Sequence, residues 1–166
     1  MGPNMIIIAA TALIPMILGM LWYHESLFGT AWLKENGMTK DDMKANQKPL
    51  KFFLGFICNF LLAMGLFLFT VHEVAILGLV GGDEELLKTG TAAAFLAEYG
   101  GSFSRFSHGV AHGIVAAFAF AAPFLGHKCL WAGKSFKAFL LDWGFWLVCM
   151  ILMAGVIAQW GAVSLT

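Results

Sequence analysis

Four long apolar stretches constrain this chain more than any other feature of its sequence. Each is close to the roughly 20 residues that an α-helix needs to cross a bilayer. They run over 5–24, 52–80, 106–126 and 138–160. Since lipid offers no hydrogen-bond partner to exposed backbone groups, such spans must be helices, and four of them cannot close a barrel. The sequence predicts an all-α polytopic integral membrane protein, a single four-helix domain over 1–166.

The composition agrees with a chain that folds in lipid. Hydrophobic residues make up 60% of it and charged residues 12%, against roughly 45–50% and 25% in soluble domains. The net charge is zero, which excludes the basic field that a nucleic-acid partner requires. Cys58, Cys129 and Cys149 lie far apart without CxxC spacing, so we interpret them as packing residues rather than disulfides or zinc ligands.

The first apolar stretch is expected to remain as a helix rather than to be cleaved as a signal peptide. No Lys or Arg precedes it, and no small-residue cleavage motif follows it, although signal peptides have both. Pro15 lies in its middle. Since proline removes one intrahelical hydrogen bond, a kink is expected there.

The distribution of lysine and arginine predicts the orientation. Eight lysines lie in the connections 25–51 and 127–137, whereas the other side has only Lys88 and Arg105. Under the positive-inside rule these two connections are cytoplasmic and both termini are extracytoplasmic.

Short amphipathic helices are expected in two of the connections. Between helices one and two, Leu27, Phe28, Ala31 and Trp32 recur at helical spacing, which is typical of a helix in the headgroup region. Further along, Thr39 and Asp42 resemble a capping box that opens a second helix. Between helices two and three, acids in the first turn and Gly100-Gly101 at the end predict a helix over 84–99.

His72, Glu73, His108 and His112 are the most conspicuous polar residues in the apolar stretches. Helix two rises by about 1.5 Å per residue, so His72 is expected about 30 Å above its start, near the outer boundary. Helix three descends from that boundary, which places His108 and His112 about 3 and 9 Å below its start. All four side chains are therefore predicted at similar depth, and the two histidines of helix three share one face.

This histidine–glutamate group has several interpretations. Imidazoles with a carboxylate suit zinc, iron or copper. One histidine from each helix can instead ligate a haem, or the group can relay protons beside a quinone. A hydrogen-bonded polar cluster that joins helices two and three, with Glu73 facing water, explains the same residues without any cofactor. Nearer the inner surface are four more polar residues, for which solvated or snorkelling positions are expected: His24, Glu25, His127 and Asp142.

Small and aromatic residues are expected to serve packing and placement in the bilayer. Gly109 and Gly113 on helix three, and Ala154 and Ala158 on helix four, form small-x-x-x-small pairs, which drive either internal packing or oligomerisation. Aromatic residues near the predicted boundaries are expected to be interfacial. They are Trp22, Tyr23, Phe28, Trp32, Trp131, Trp143 and Trp160.

Several segments resemble a known family. Leu21-Trp22-Tyr23, then Leu27-Phe28-Gly29 and Trp32, are similar to the LWY-x3-LFG-x2-W signature of small bacterial membrane proteins catalogued as a domain of unknown function. The segments 134–137, 143–148 and 153–155, together with Trp160, resemble the end of that family, and 98–100 and 108–113 resemble its Bacteroidetes-type versions. The resemblance implies four helices in the bacterial inner membrane, and it implies no substrate, cofactor or catalytic residue.

The leading hypothesis for function is a non-enzymatic inner-membrane protein, either a homo-oligomer or an accessory subunit of a larger membrane complex. No Ser-His-Asp or Cys-His spacing and no phosphate-binding glycine loop is present. Its expected partners are the bilayer and a second membrane protein chain. Two alternatives stay open: a haem-, metal- or quinone-binding redox protein that uses the histidine group, and an oligomeric pore for a small solute or protons.

Overall fold

The computed structural model describes residues 2–100 and 102–163, and its architecture is a bundle of four membrane-length helical spans. The spans contain 18, 22, 26 and 25 residues and are apolar enough to cross a bilayer. They are Met5–Trp22, Pro49–Thr70, Phe106–Trp131 and Phe136–Trp160. The predicted fold class, an all-α membrane protein with four spanning helices, is confirmed.

The first span consists of two helices, α1 (Met5–Thr11) and α2 (Ile14–Trp22). Pro15 occupies the first turn of α2. Its ring would collide with the carbonyl four residues earlier, which belongs to Thr11, and that is where α1 ends. At the position where a kink was expected, the structure has a break between α1 and α2.

Two short helices follow on the side that contains most of the lysines, α3 (Gly29–Asn36) and α4 (Lys40–Asn46). The predicted capping box is present, because the Thr39 side chain accepts from Asp42 N and the Asp42 carboxylate accepts from Thr39 N. Helix α3 packs against the start of the fourth span. We call this end of the bundle, which comprises residues 23–51 and 127–142, the lysine face.

The second span is α5 (Pro49–Thr70), which ends ten residues before the predicted end at position 80. Val71 is extended, and a separate helix α6 (Glu73–Leu79) then begins. The expectation of one helix over 52–80 was therefore wrong. The helix expected over 84–99 is also divided, into α7 (Glu84–Leu87) and α8 (Gly90–Tyr99), since Gly90 adopts φ +60°.

The third span contains α9 (Phe106–Ala116), a π-helical turn (Ala117–Ala121) and α10 (Ala122–Trp131). Pro123 lies in the first turn of α10. The wider π turn accommodates the missing proline N–H. The span continues to Trp131, beyond the predicted end at 126.

Helix α11 (Phe136–Trp160) is the fourth span, and it buries more residues than any other helix in the described part of the chain. Its Cys149, Met153 and Ile157 are fully buried, opposite Ile8 of α1 and Ala63 of α5. Beyond it, β2 (Ala162–Val163) pairs with β1 (Gly2–Pro3) in a short antiparallel ribbon. We call this end of the bundle, which also contains α6–α8, the termini face.

The closest helix–helix contact joins α9 to α11 through the glycines of α9. A β-carbon at Gly109 would overlap the Ala154 carbonyl oxygen, and one at Gly113 would overlap the backbone at Met150 and Ile151. Ala154 and Ala158 are buried in the same bundle. These small residues therefore lie in the contact between α9 and α11 or in the core of the bundle.

Substitution of Gly109 by alanine should destabilise the bundle. Its methyl group would force the backbones of α9 and α11 apart, and overpacking of this kind costs about 1–3 kcal/mol. Thermal unfolding in detergent measures the effect. Gly55→Ala is the matched control, since that helical glycine has open space around its β-carbon position. Equal melting temperatures for the two variants would contradict the close approach.

Candidate metal centre

Three of the four predicted cluster residues converge at the termini face. His72 lies between α5 and α6, and His108 and His112 lie one turn apart on α9. Because the chain leaves α5 at Val71, the His72 ring can turn toward α9 rather than continue along a helix. The sequence predicts a similar depth for these histidines. In the structure their rings are in direct contact.

The three imidazole rings converge through their Nε2 atoms. The Nε2 atoms of His72 and His108 are 2.9 Å apart, those of His72 and His112 3.3 Å, and those of His108 and His112 3.0 Å. His72 is exposed and the other two rings are partly buried. The three nitrogens thus form a nearly equilateral triangle that is accessible from the termini face.

Hydrogen bonding alone cannot satisfy this triangle. The Nε2 of a neutral imidazole either carries a proton and donates, or has a lone pair and accepts. Three nitrogens that share two roles must include at least one pair of like groups, donor facing donor or acceptor facing acceptor. A cation bound by all three lone pairs removes this conflict.

The triangle has the dimensions of a transition-metal site. Nitrogens that lie 2.0–2.1 Å from a tetrahedral zinc ion are separated by about 3.3 Å, and the observed separations of 2.9–3.3 Å are within a few tenths of an ångström of that value. Three protein nitrogens leave the fourth position of a tetrahedral ion open. The donor set therefore fits zinc or copper.

The same distances do not fit a haem held by two of these histidines. Axial nitrogens on opposite faces of a porphyrin are separated by two metal–nitrogen bonds, about 4 Å. The three Nε2 atoms are closer than that, at 2.9–3.3 Å, and they converge on one point. A porphyrin ring therefore has no space between them.

Aromatic side chains surround the three histidines. Phe69 makes an edge-on contact with His112, and Phe103 contacts the rings of both His72 and His108. Beside His72 is a cavity of about 270 Å³ between α6, α8 and the following loop. Glu73, the fourth predicted residue, lines this cavity and is not one of the three converging ligands.

A second polar site, on the lysine face, was missed in the sequence. Asp142 of α11 accepts hydrogen bonds at Oδ1 from Trp32 Nε1 at 2.7 Å and from Tyr23 OH at 3.3 Å. Trp22 Nε1 donates to the adjacent Leu141 carbonyl at 3.1 Å. Asp142 was expected to be solvated or snorkelling, whereas its carboxylate joins the first span and α3 to the fourth span.

Burial and the neighbouring Asp142 carboxylate raise the pKa of Tyr23 well above its ordinary value. The phenol therefore stays protonated and acts as a donor at all physiological pH values. Gly29 makes the arrangement possible, since a β-carbon there would overlap the Tyr23 carbonyl oxygen. Phe28 packs on Trp22 with ring centroids 4.4 Å apart.

The remaining predicted residues lie at separate positions. On the lysine face, His24 and Glu25 are exposed and Lys40 pairs with Glu25 at 2.6 Å. His127 accepts from Trp131 one turn along α10.

Trp143 donates to the Ala117 carbonyl at the π turn, and Trp160 is exposed at the other end of α11. These residues form no common site with the histidine triangle.

A family model described as "Protein of unknown function (DUF1761)" matches residues 6–158 of the chain. The chain belongs to this family. No curated protein and no solved structure matches it. Membership in the DUF1761 family agrees with the resemblance in the sequence and leaves the role of the protein to be inferred from its geometry.

Loss of the Trp32–Asp142 hydrogen bond should loosen α3 from the bundle. Trp32→Phe removes a donor to a carboxylate, and such bonds contribute about 1.5–3 kcal/mol. The measurement is thermal unfolding in detergent. Trp131→Phe is the matched control, because that side chain is 81% exposed and its donor serves a histidine of its own helix. A loss of stability no larger than that of the control would refute the role of Asp142.

Proposed function

We propose that this membrane protein binds one transition-metal ion between His72, His108 and His112. The observation that supports the proposal is the triangle of Nε2 atoms, with separations of 2.9–3.3 Å, which no set of imidazole tautomers can satisfy by hydrogen bonds. The exposed His72 ring gives an ion a route into the site. Of the alternatives that the sequence left open, this geometry favours metal binding over haem.

The chemistry of the donors restricts the ion. Neutral imidazole nitrogens bind zinc and copper well and bind magnesium and calcium poorly, since those ions prefer oxygen ligands. By the usual order of affinities, copper binds such a site more tightly than zinc, so the supply of each metal decides which is bound. The open fourth position is available to water or to a ligand from outside the protein.

Protein stripped of metal and freed of any polyhistidine tag should take up one equivalent of zinc in a calorimetric titration. His72→Ala, His108→Ala and His112→Ala should each weaken binding by about 100-fold or more, since even residues that only support metal ligands contribute 10–100-fold. X-ray absorption should show three nitrogens near the metal.

The matched control is His127→Ala, which removes a histidine of the same span on the lysine face and should bind zinc like the wild type. If the wild type takes up no metal, or if the triple alanine variant binds as tightly as the wild type, the proposal is wrong. A polar cluster that only joins the helices predicts that the wild type binds no zinc.

We also propose that the metal site faces the extracytoplasmic side of the bacterial inner membrane. The lysine face contains eight of the ten basic residues, whereas the termini face contains five acids and only Lys88 and Arg105. Lysine-rich loops remain in the cytoplasm. This orientation places the triangle where external metal ions arrive.

Reporter fusions test the orientation. Alkaline phosphatase fused after Thr166 should be active and green fluorescent protein there should be dark, because the first needs the extracytoplasmic space and the second the cytoplasm. The matched fusion after Gly133, on the lysine face, should give the reverse. Fluorescence from the C-terminal fusion would invert the proposed orientation.

Self-association, or assembly with another membrane protein in a non-enzymatic role, stays a prediction. Gly109, Gly113, Ala154 and Ala158 can no longer support it, because their small side chains serve the contact inside the bundle. An interface between chains must therefore use other, lipid-facing surfaces. A metal site at the bundle surface is compatible with an accessory subunit that presents an ion to a partner.

A further inference from the structure

The segment 73–100, which contains α6, α7 and α8, is weakly held by the rest of the protein. Leu87 is the only buried residue in this fully described stretch, whereas α11 alone buries ten residues. Its three helices pack mainly on one another. Few buried apolar contacts mean a low free energy of local opening.

The described side-chain hydrogen bonds of residues 83–99 also stay within the segment. Asp83 caps α7 by accepting from Glu85 N, Lys88 pairs with Glu85 at 3.0 Å, and Thr89 donates to the Glu85 carbonyl. These contacts shape the helices without joining them to the four spans. The attachment of the segment therefore depends on its two ends.

Both ends meet at the histidine triangle. His72 directly precedes the segment, and its Nε2 lies 2.9 Å from that of His108, 36 residues later. Phe103, just after the segment, lies against both rings, with centroids 5.8 Å from His72 and 5.0 Å from His108. An ion bound by the triangle would thus close the segment into a loop tied to α9.

We propose that the metal ion acts as a latch that fixes the segment 73–100 against the bundle, so that metal supply controls the order of the termini face. This inference rests on the proposed function and names its regulation. The cavity of about 270 Å³ lies between His72, α6 and α8. Release of the ion therefore opens this cavity together with the segment.

The coupling between metal binding and the opening of the segment determines how strongly zinc suppresses the open form. When the ion binds the closed form and not the open one, a free metal concentration of 100 times Kd lowers the open population by about a hundredfold. Amides of α6–α8 that exchange through this opening slow by the same factor. Amides of α11, which is buried in the core, do not depend on the latch.

Hydrogen exchange with mass spectrometry tests the inference on the full chain in lipid nanodiscs, with zinc or with EDTA. Peptides from 73–100 should exchange up to about a hundredfold more slowly with zinc, while peptides from 136–160 stay unchanged. His72→Ala should abolish the difference, because it removes the ligand next to the segment. His127→Ala should retain it.

Cleavage by an arginine-specific protease gives a second measurement, since Arg105 is the only arginine in the chain. It lies between the segment and α9, so zinc should slow this single cut in the wild type and not in His72→Ala. Proteolysis therefore tests the opening of the segment independently of hydrogen exchange.

Calorimetry on the same samples separates the two proposals. Zinc binding that requires the three histidines, but leaves exchange of 73–100 and cleavage at Arg105 unchanged, overturns the latch and leaves the metal site standing. Absence of zinc binding overturns both. Protection that appears with zinc and disappears in His72→Ala supports both.

Discussion

The close approach of α9 and α11 is the contact on which the histidine site depends. Each histidine of α9 is followed by a glycine, and successive helical residues point about 100° apart. When Gly109 and Gly113 lie flat against α11, His108 and His112 must therefore point to the side, where the chain leaves α5. Small residues that look like a dimerisation motif in the sequence thus serve to aim two imidazoles at a third.

Much of this arrangement could be predicted from the sequence, because the thickness of the bilayer fixes where each spanning helix begins and ends. Span lengths and a fixed rise per residue placed His72 at the level of His108 and His112 although 36 and 40 residues separate them. Depth alone does not fix the direction of a side chain around its helix. The convergence of the three Nε2 atoms therefore required the structure.

The end of α5 and the contacts of Asp142 could not be predicted from span lengths. No proline or glycine marks the end of α5 at Thr70, and the apolar run continues past it. The contacts of Asp142 join residues 110 and 119 positions apart. A signal for the second feature existed, since Asp142 is the only acidic residue within the four spans, and its donors are Tyr23 of the LWY motif and the following Trp32.

The two polar sites at opposite ends of the bundle follow one rule and differ in one respect. Lipid makes an unpaired polar group costly, so each group near the boundary needs a partner from another element. At Asp142 the partners are complementary, an acceptor with an indole and a phenol donor. At the histidine triangle all three partners are alike. The proposed metal ion supplies a partner that all three groups can bind, since three imidazole lone pairs suit a transition-metal ion.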